Sequence, residues 1–116
     1  MTALFKRHNI KKILAGVKTQ TRRIHKHTWK IGKAYALKDS WFSKGKAYII
    51  ITRKFRQKLG EITPEDVKKE GYNSLEEFKA EWMKLHGEWN PDQIVWVYEF
   101  KLADAKISKP SSVKEN

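Results

Sequence analysis

The chain has 116 residues, with 25 Lys and Arg against 13 Asp and Glu, four His and no cysteine, for a formal charge of +12. The lack of cysteine excludes disulfides and thiolate metal sites, no run approaches the roughly 18 apolar residues of a membrane helix, and the length suits one domain with its own core. The charge is segregated: residues 1–60 hold 17 basic side chains and one acid, Asp39, a formal +16, whereas residues 61–116 hold eight basic and twelve acidic ones, a formal −4. Such segregation predicts a polyanion-binding face with nucleic acid as the partner; a solubilising surface of ion pairs, as in heat-adapted proteins, is the alternative.

Met1 to His8 lacks the apolar run of a signal peptide, so a soluble, cytoplasmic chain is expected. Asn9 is a candidate cap for a helix in which Ile10, Ile13, Leu14 and Val17 make an apolar stripe, and Gly16 supplies a left-handed terminator. Lys18 to Ile24 is rich in Thr and Arg and reads as a short extended segment or a turn leading into one. Residues 25–33 are loop-like, and Ala34–Lys38 reads as a strand that forms a hairpin with Lys46–Phe55. The Ile49-Ile50-Ile51 run within the second strand predicts burial on both faces.

Thr63-Pro64 is a cap followed by proline at the first helical position, with Glu65, Asp66 and Glu70 read as acids near the positive end of that helix and Gly71 as its stop. Ser74 and Glu77 have capping-box spacing for a second helix, whose stripe is Leu75, Phe78, Trp82 and Leu85 and whose stop is Gly87. Ile94–Phe100 alternates as a late strand of the same sheet, and residues 106–116 read as a flexible C-terminal tail after a domain over 1–105.

The segment Ile13-Leu-Ala-Gly-Val-Lys-Thr-Gln-Thr-Arg-Arg23 resembles the N-terminal signature of the activating-signal-cointegrator homology (ASCH) domain. The Ile51-Thr-Arg strand, Leu59 to Gly71, Ser74 to Phe78, Trp89-Asn-Pro and Val95 to Phe100 follow in the family's order, so the resemblance spans about residues 4–103. It implies an α+β fold, a PUA-like small mixed β-barrel with helices packed at its mouth, and a cleft associated with RNA or modified nucleosides. Some small bacterial members hydrolyse the acetyl amide of N4-acetylcytidine, and others are described as nucleases or RNA-binding modules. In the amidohydrolases the catalytic set falls by motif on Lys18, Thr21 and Glu70, with Thr21 as nucleophile, Lys18 as base or electrostatic activator, and Glu70 orienting the lysine or shuttling a proton.

Residues three apart on a regular strand face opposite sides, so Lys18 and Thr21 converge only across a bulge or turn. The chain also departs from those bacterial enzymes in a longer basic loop, His25 to Lys33, and an aromatic turn, Ser40-Trp-Phe-Ser43, placed to gate or fill the cleft. Lys18, Arg22, Arg23, Lys26, Lys30, Lys33 and Arg53 are the candidate RNA-binding cations. Trp29 and Trp41 read either as platforms for an unpaired base or as core and rim filler, while Trp82 and Trp96 read mainly as core. His25 and His27 have neither a third ligand nor a cysteine nearby, so no metal and no cofactor is expected. The leading expectation is an RNA-binding domain with a basic cleft; the alternatives are an amidohydrolase acting on N4-acetylcytidine and a ribonuclease, and a protein partner is not indicated.

Overall fold

A computed structural model describes residues 2–24, 29–40 and 47–103. The expectations for Lys26, His25, His27, Trp41 and the tail at 106–116 fall outside the described residues. In chain order the elements are β1 (Thr2–Leu4), α1 (Arg7–Leu14), β2 (Gln20–Arg23), β3 (Ala34–Lys38), β4 (Tyr48–Lys58), a 3₁₀ turn (Leu59–Glu61), α2 (Pro64–Lys69), α3 (Leu75–His86) and β5 (Ile94–Ala103). The sheet order is β1-β3-β4-β5-β2, with β1 parallel to β3 and every other pair antiparallel. Among the described residues no helix is long and apolar enough to cross a membrane.

The expected β-barrel is corrected: the sheet is open. A barrel needs its first and last strands to pair, whereas here β1 and β2 are the two edges and, among the described residues, no backbone ladder joins them. They are bridged by one side chain, the Arg23 guanidinium, whose Nη2 donates to the Leu4 carbonyl at 2.7 Å. Edge strands of three and four residues are too short to carry a closing ladder past the cavity that lies between them.

A register shift controls what each face of the sheet presents. Ile51 pairs with Phe100 and Arg53 with Glu99, so Thr52 is an extra residue, and its hydroxyl donates to the Glu99 carbonyl at 3.2 Å. Simple alternation would put Ile49, Ile51, Arg53, Phe55 and Gln57 on one side. The bulge instead leaves Ile49 and Ile51 in a cluster with Phe5, Ile13, Tyr35, Tyr98 and Phe100, and turns Phe55 to a second cluster, with Val67, Phe78, Trp82, Val95 and Val97. Strand β5 supplies both clusters, Tyr98 and Phe100 to one and Val95 and Val97 to the other. Ile50 is only half-buried, so the triple-isoleucine run is covered on one side, not both.

The helix ends follow local chemistry. Thr63 and Asp66 cap each other reciprocally, each backbone N–H donating to the other's side chain at 3.1 Å, with Pro64 at the first helical position. Ser74 accepts from the Glu77 backbone N–H, while the Glu77 carboxylate turns to the Asn73 N–H. Asn9 is not a cap: α1 begins at Arg7, and Asn9 is buried within it.

Candidate functional site

The outer edge of β2 opens onto a cavity of about 440 Å³, walled by the end of β1 and the entry to α1 (Leu4, Phe5, Lys6, Asn9), by Lys18, Thr21, Arg22 and Arg23, by Glu70 and Tyr72 after α2, and by Phe78, Glu81, Trp82 and His86 of α3. Its size lies within the range of small-molecule sites. The three side chains expected to act together, Lys18, Thr21 and Glu70, all line it. Lys18 and Thr21 share the cavity because the strand does not start until Gln20. Before it, the backbone N–H groups of Val17 and Lys18 both turn back to the Lys12 carbonyl, and the Thr19 N–H is taken by Lys69 at the end of α2.

Glu70 is the C-cap of α2, at its negative end, which corrects its grouping with the acids of the first turn. Its carboxylate is held there by cations. Lys18 Nζ donates to Glu70 Oε1 at 2.8 Å and to the Glu70 carbonyl at 2.9 Å, and Arg22 Nη1 donates to Glu70 Oε2 at 3.0 Å. Lys18 and Glu70 are each 3% exposed and the Arg22 side chain is fully enclosed. Gly71 permits this approach: its φ is +96°, and a Cβ there would meet Lys12 Cδ at 3.0 Å and Lys18 Cβ at 3.4 Å.

Arg22 extends the network. Its Nη1 also donates to Gln20 Oε1, and its Nη2 lies 3.2 Å from Asp66 Oδ2 and 2.8 Å from Gln57 Oε1. Gln20 in turn donates to Glu99 Oε2 at 2.9 Å and to Asp66 Oδ1 at 3.3 Å. Two buried cations, Lys18 and Arg22, are thus set against the carboxylates of Glu70 and Asp66, the only arrangement in which charges tolerate such burial. Gln20, Gln57 and Asp66 were not among the expected site residues. The Gln20-x-Arg22 spacing, which puts both on one face of a strand, was the signal that could have found Gln20.

Protonation follows from these surroundings. Burial pushes the Lys18 ammonium below 10.5, Glu70 opposes the shift, and Arg23 and Lys12 add to it. Burial pushes the Arg23 guanidinium down to about 10, against Glu70 and Tyr98, so it stays charged at neutral pH. Burial alone would raise Asp66, but the hydrogen bonds from Thr63 and Gln20 and the Arg22 charge outweigh it and hold the carboxyl below its usual 3.8. Burial lowers His86, helped by Arg23.

The expected RNA-binding cations divide by location. Lys18, Arg22 and Arg23 line the cavity, whereas Lys30 and Lys33 are exposed elsewhere. Arg53 is also exposed; it lies 3.7 Å from Glu99, over the Phe55 ring, and does not line the cavity. Arg23 Nε donates to Thr21 Oγ1 at 3.3 Å, and its guanidinium covers the Phe5 and Trp29 rings. Trp29 packs on Tyr98 at 4.9 Å and on Tyr35 at 5.6 Å, so its ring belongs to the rim of the core. Trp82 is buried as expected, but Trp96 is only half-covered. The outer surface is basic and laced with ion pairs, among them Arg7 with Asp39, Lys58 with Asp92 and Lys69 with Glu99. Among the described residues no three His, Asp or Glu side chains gather as metal ligands.

No family model and no curated protein matches the sequence. Solved structures are similar to it, two of them as follows. One is an ASCH domain from Lactobacillus crispatus JV V101, with a TM-score of 0.65 and 18% identity over 82% of this chain and 70% of that one. The other is a protein of Enterococcus faecalis V583 described by the DUF984 family model, with a TM-score of 0.59 and 21% identity over 81% of this chain and 69% of that one. At such identities it is the backbone that is shared: the open five-stranded sheet with its packed helices has a fold like that of these ASCH and DUF984 structures.

Proposed function

We propose that this chain binds RNA by admitting one nucleobase, with its sugar, into the cavity beside β2, while exposed cations of the first half attract the flanking phosphates. The observation that carries this reading is the buried Lys18–Glu70–Arg22 set in the wall of a cavity of nucleoside size. Two further features support it. The cavity combines aromatic walls, Phe5, Tyr72 and Trp82, with polar and charged side chains, among them Asn9, Thr21 and Arg23, that can orient a flat heterocycle between them. Asn9 and Arg22, both lining it, each hold one buried polar atom without a hydrogen-bond partner among the described residues, Asn9 Oδ1 as an acceptor and Arg22 Nε as a donor. Buried polar atoms are nearly always satisfied, so these two are suited to a ligand or to water.

The test is fluorescence anisotropy with a labelled single-stranded RNA over a salt series. Affinity falls with salt, with a log–log slope of about −0.7 per phosphate contacted, and cytidine or N4-acetylcytidine at high concentration competes. Arg23→Ala, Lys30→Ala and Lys33→Ala each weaken binding. Binding that ignores salt overturns the reading.

A second reading, deacylation of an N4-acylated cytidine, is favoured by the depressed Lys18 in the same cavity as a hydroxyl. Thr21 Oγ1 attacks the acyl carbon as the C–N bond to the exocyclic nitrogen breaks. Lys18 takes the hydroxyl proton and returns it to the departing amine, and water then releases the acyl group from Thr21. The Arg23 N–H on Oγ1 favours the oxyanion form of the threonine, and Glu70 fixes Lys18. Chromatographic measurement of cytidine released from N4-acetylcytidine tests it: turnover lost in both Lys18→Ala and Thr21→Ala supports hydrolysis, and no turnover by the native chain refutes it.

A further inference from the structure

The register of β2, β5 and the distal half of β4 sorts their side chains into two sets. On one face lie Gln20, Arg22, Phe55, Val95, Val97 and Glu99, and from it Gln20 and Arg22 meet the Asp66 carboxylate of α2. The opposite face carries Lys54, Arg56 and Lys58 along β4, Ile94, Trp96 and Tyr98 along β5, and Thr21 and Arg23 along β2. No carboxylate occupies any of those strand positions. Arg56, Trp96 and Arg23 stand side by side across the three strands, since Trp96 pairs with both. Trp96 is flanked by cations, with Lys54 Nζ 5.5 Å and the Arg56 guanidinium 5.6 Å from its ring centroid.

We infer that this face is a track for single-stranded RNA, with Trp96 as a base-stacking platform and Lys54, Arg56 and Lys58 as its phosphate rail. The inference rests on the RNA-binding reading and adds a second contact region to the cavity. Three observations carry it. Alternate residues of β4 are about 6.6 Å apart on one face, a spacing of the same order as that of phosphates along an extended strand. Trp96 is half-buried, anchored against Tyr98 in a stacked arrangement at 6.3 Å. The face also runs into the candidate site, since rings follow one another from Trp96 to Tyr98, Trp29 and Phe5, and Phe5 and Arg23 line the cavity. A half-exposed aromatic flanked by cations complements unpaired bases on a polyanion, and Lys58, 4.0 Å from Asp92 on the surface, exchanges that weak pairing for a phosphate; a duplex hides its base faces from such a platform.

The experiment measures the affinity of the full chain for a fluorescein-labelled trinucleotide and for a nonamer of the same RNA composition. The native chain gains affinity with length. In Trp96→Leu, which keeps apolar volume while removing the π face, that gain shrinks about tenfold, a typical loss for one stacking contact, and in Arg56→Glu it shrinks because a charge that attracts phosphate is replaced by one that repels it. Circular dichroism and thermal melts establish that both variants fold, and Arg56→Glu, altering an exposed side chain, keeps the test usable should Trp96→Leu not fold. A nonamer bound equally well by the native chain and Arg56→Glu overturns the track and leaves the cavity reading standing. A perfect duplex that binds as tightly as the single strand overturns the stacking platform. A native chain that binds neither oligonucleotide at low salt overturns the RNA reading itself.

Discussion

Three strands present opposite electrostatics on their two faces, and the contrast shows why a sequence charge count is a poor map of a binding surface. On the α2 side, Lys18 and Arg22 are enclosed with Glu70 and Asp66, so their charges are matched inside the fold. On the other side, Lys54 and Arg56 flank the Trp96 ring and Lys58 follows them along β4, with no acid among the strand positions of that face. The cations that look most functional in the Lys-Thr-x-Thr-Arg-Arg motif organise a pocket, whereas those of β4, ordinary in sequence, carry an outward field. Burial decides between the two roles. A paired charge in low dielectric has high leverage on structure, and an exposed one contributes little to stability but much to the attraction of a polyanion.

The sharpest way to break this contrast is to remove one buried acid. Glu70→Ala takes from Lys18 the carboxylate it is paired with and leaves Arg22 to Asp66, and breaking a buried ion pair from one side costs about 3–5 kcal/mol. Arg56→Ala, on the outward face, changes stability by no more than about 0.5 kcal/mol. Urea unfolding of the two variants against the native chain measures both. Equal losses would mean that the buried network is no more consequential to the fold than a surface charge.

A backbone change probes the same network at smaller amplitude. Gly71→Ala places a Cβ at φ +96°, 3.0 Å from Lys12 Cδ and 3.4 Å from Lys18 Cβ. The left-handed backbone alone costs about 1–2 kcal/mol, and Lys18 is displaced from Glu70 as the contact relaxes. A lowered melting temperature together with weaker nucleoside binding is the expected pair of outcomes.

How much of this was legible in the sequence differs between helices and sheet. The ends of α2 and α3 were legible because caps are local chemistry: Thr63-Pro64, Ser74, Gly71 and Gly87 act within a few residues of where they stand. The sheet was harder. The bulge at Thr52 is set by pairing with Glu99 across 47 residues, and no local pattern in Ile51-Thr-Arg53 announces it. With the bulge unread, Arg53 and Phe55 would share a face with Ile51, and the separation of the two faces is lost. The meeting of Lys18, Thr21 and Glu70 in one cavity was anticipated through family resemblance, not periodicity, because it depends on the turn before Gln20 and on Gly71. Closure of the sheet was inferred from the same resemblance, and the short edge strands leave it open.

The mildest expected effect reports on the matched face through pH. Asp66 is held below its usual 3.8 in the folded chain by Thr63, Gln20 and Arg22, against the effect of burial. A carboxylate with a depressed folded value contributes stability that is fully present above the unfolded value and is lost as pH falls through the folded one. Stability of the native chain therefore declines below about pH 4, and Asp66→Asn, which keeps hydrogen-bonding atoms but cannot titrate, flattens part of that decline while lowering stability at neutral pH. Thermal melts from pH 2 to pH 7 compare the two profiles. Because Asp66 is partly open to solvent, added salt weakens its pairing with Arg22 and narrows the difference between the chains. Parallel profiles at low and high salt would show that the capping hydrogen bonds from Thr63, rather than the Arg22 charge, keep this carboxylate ionised.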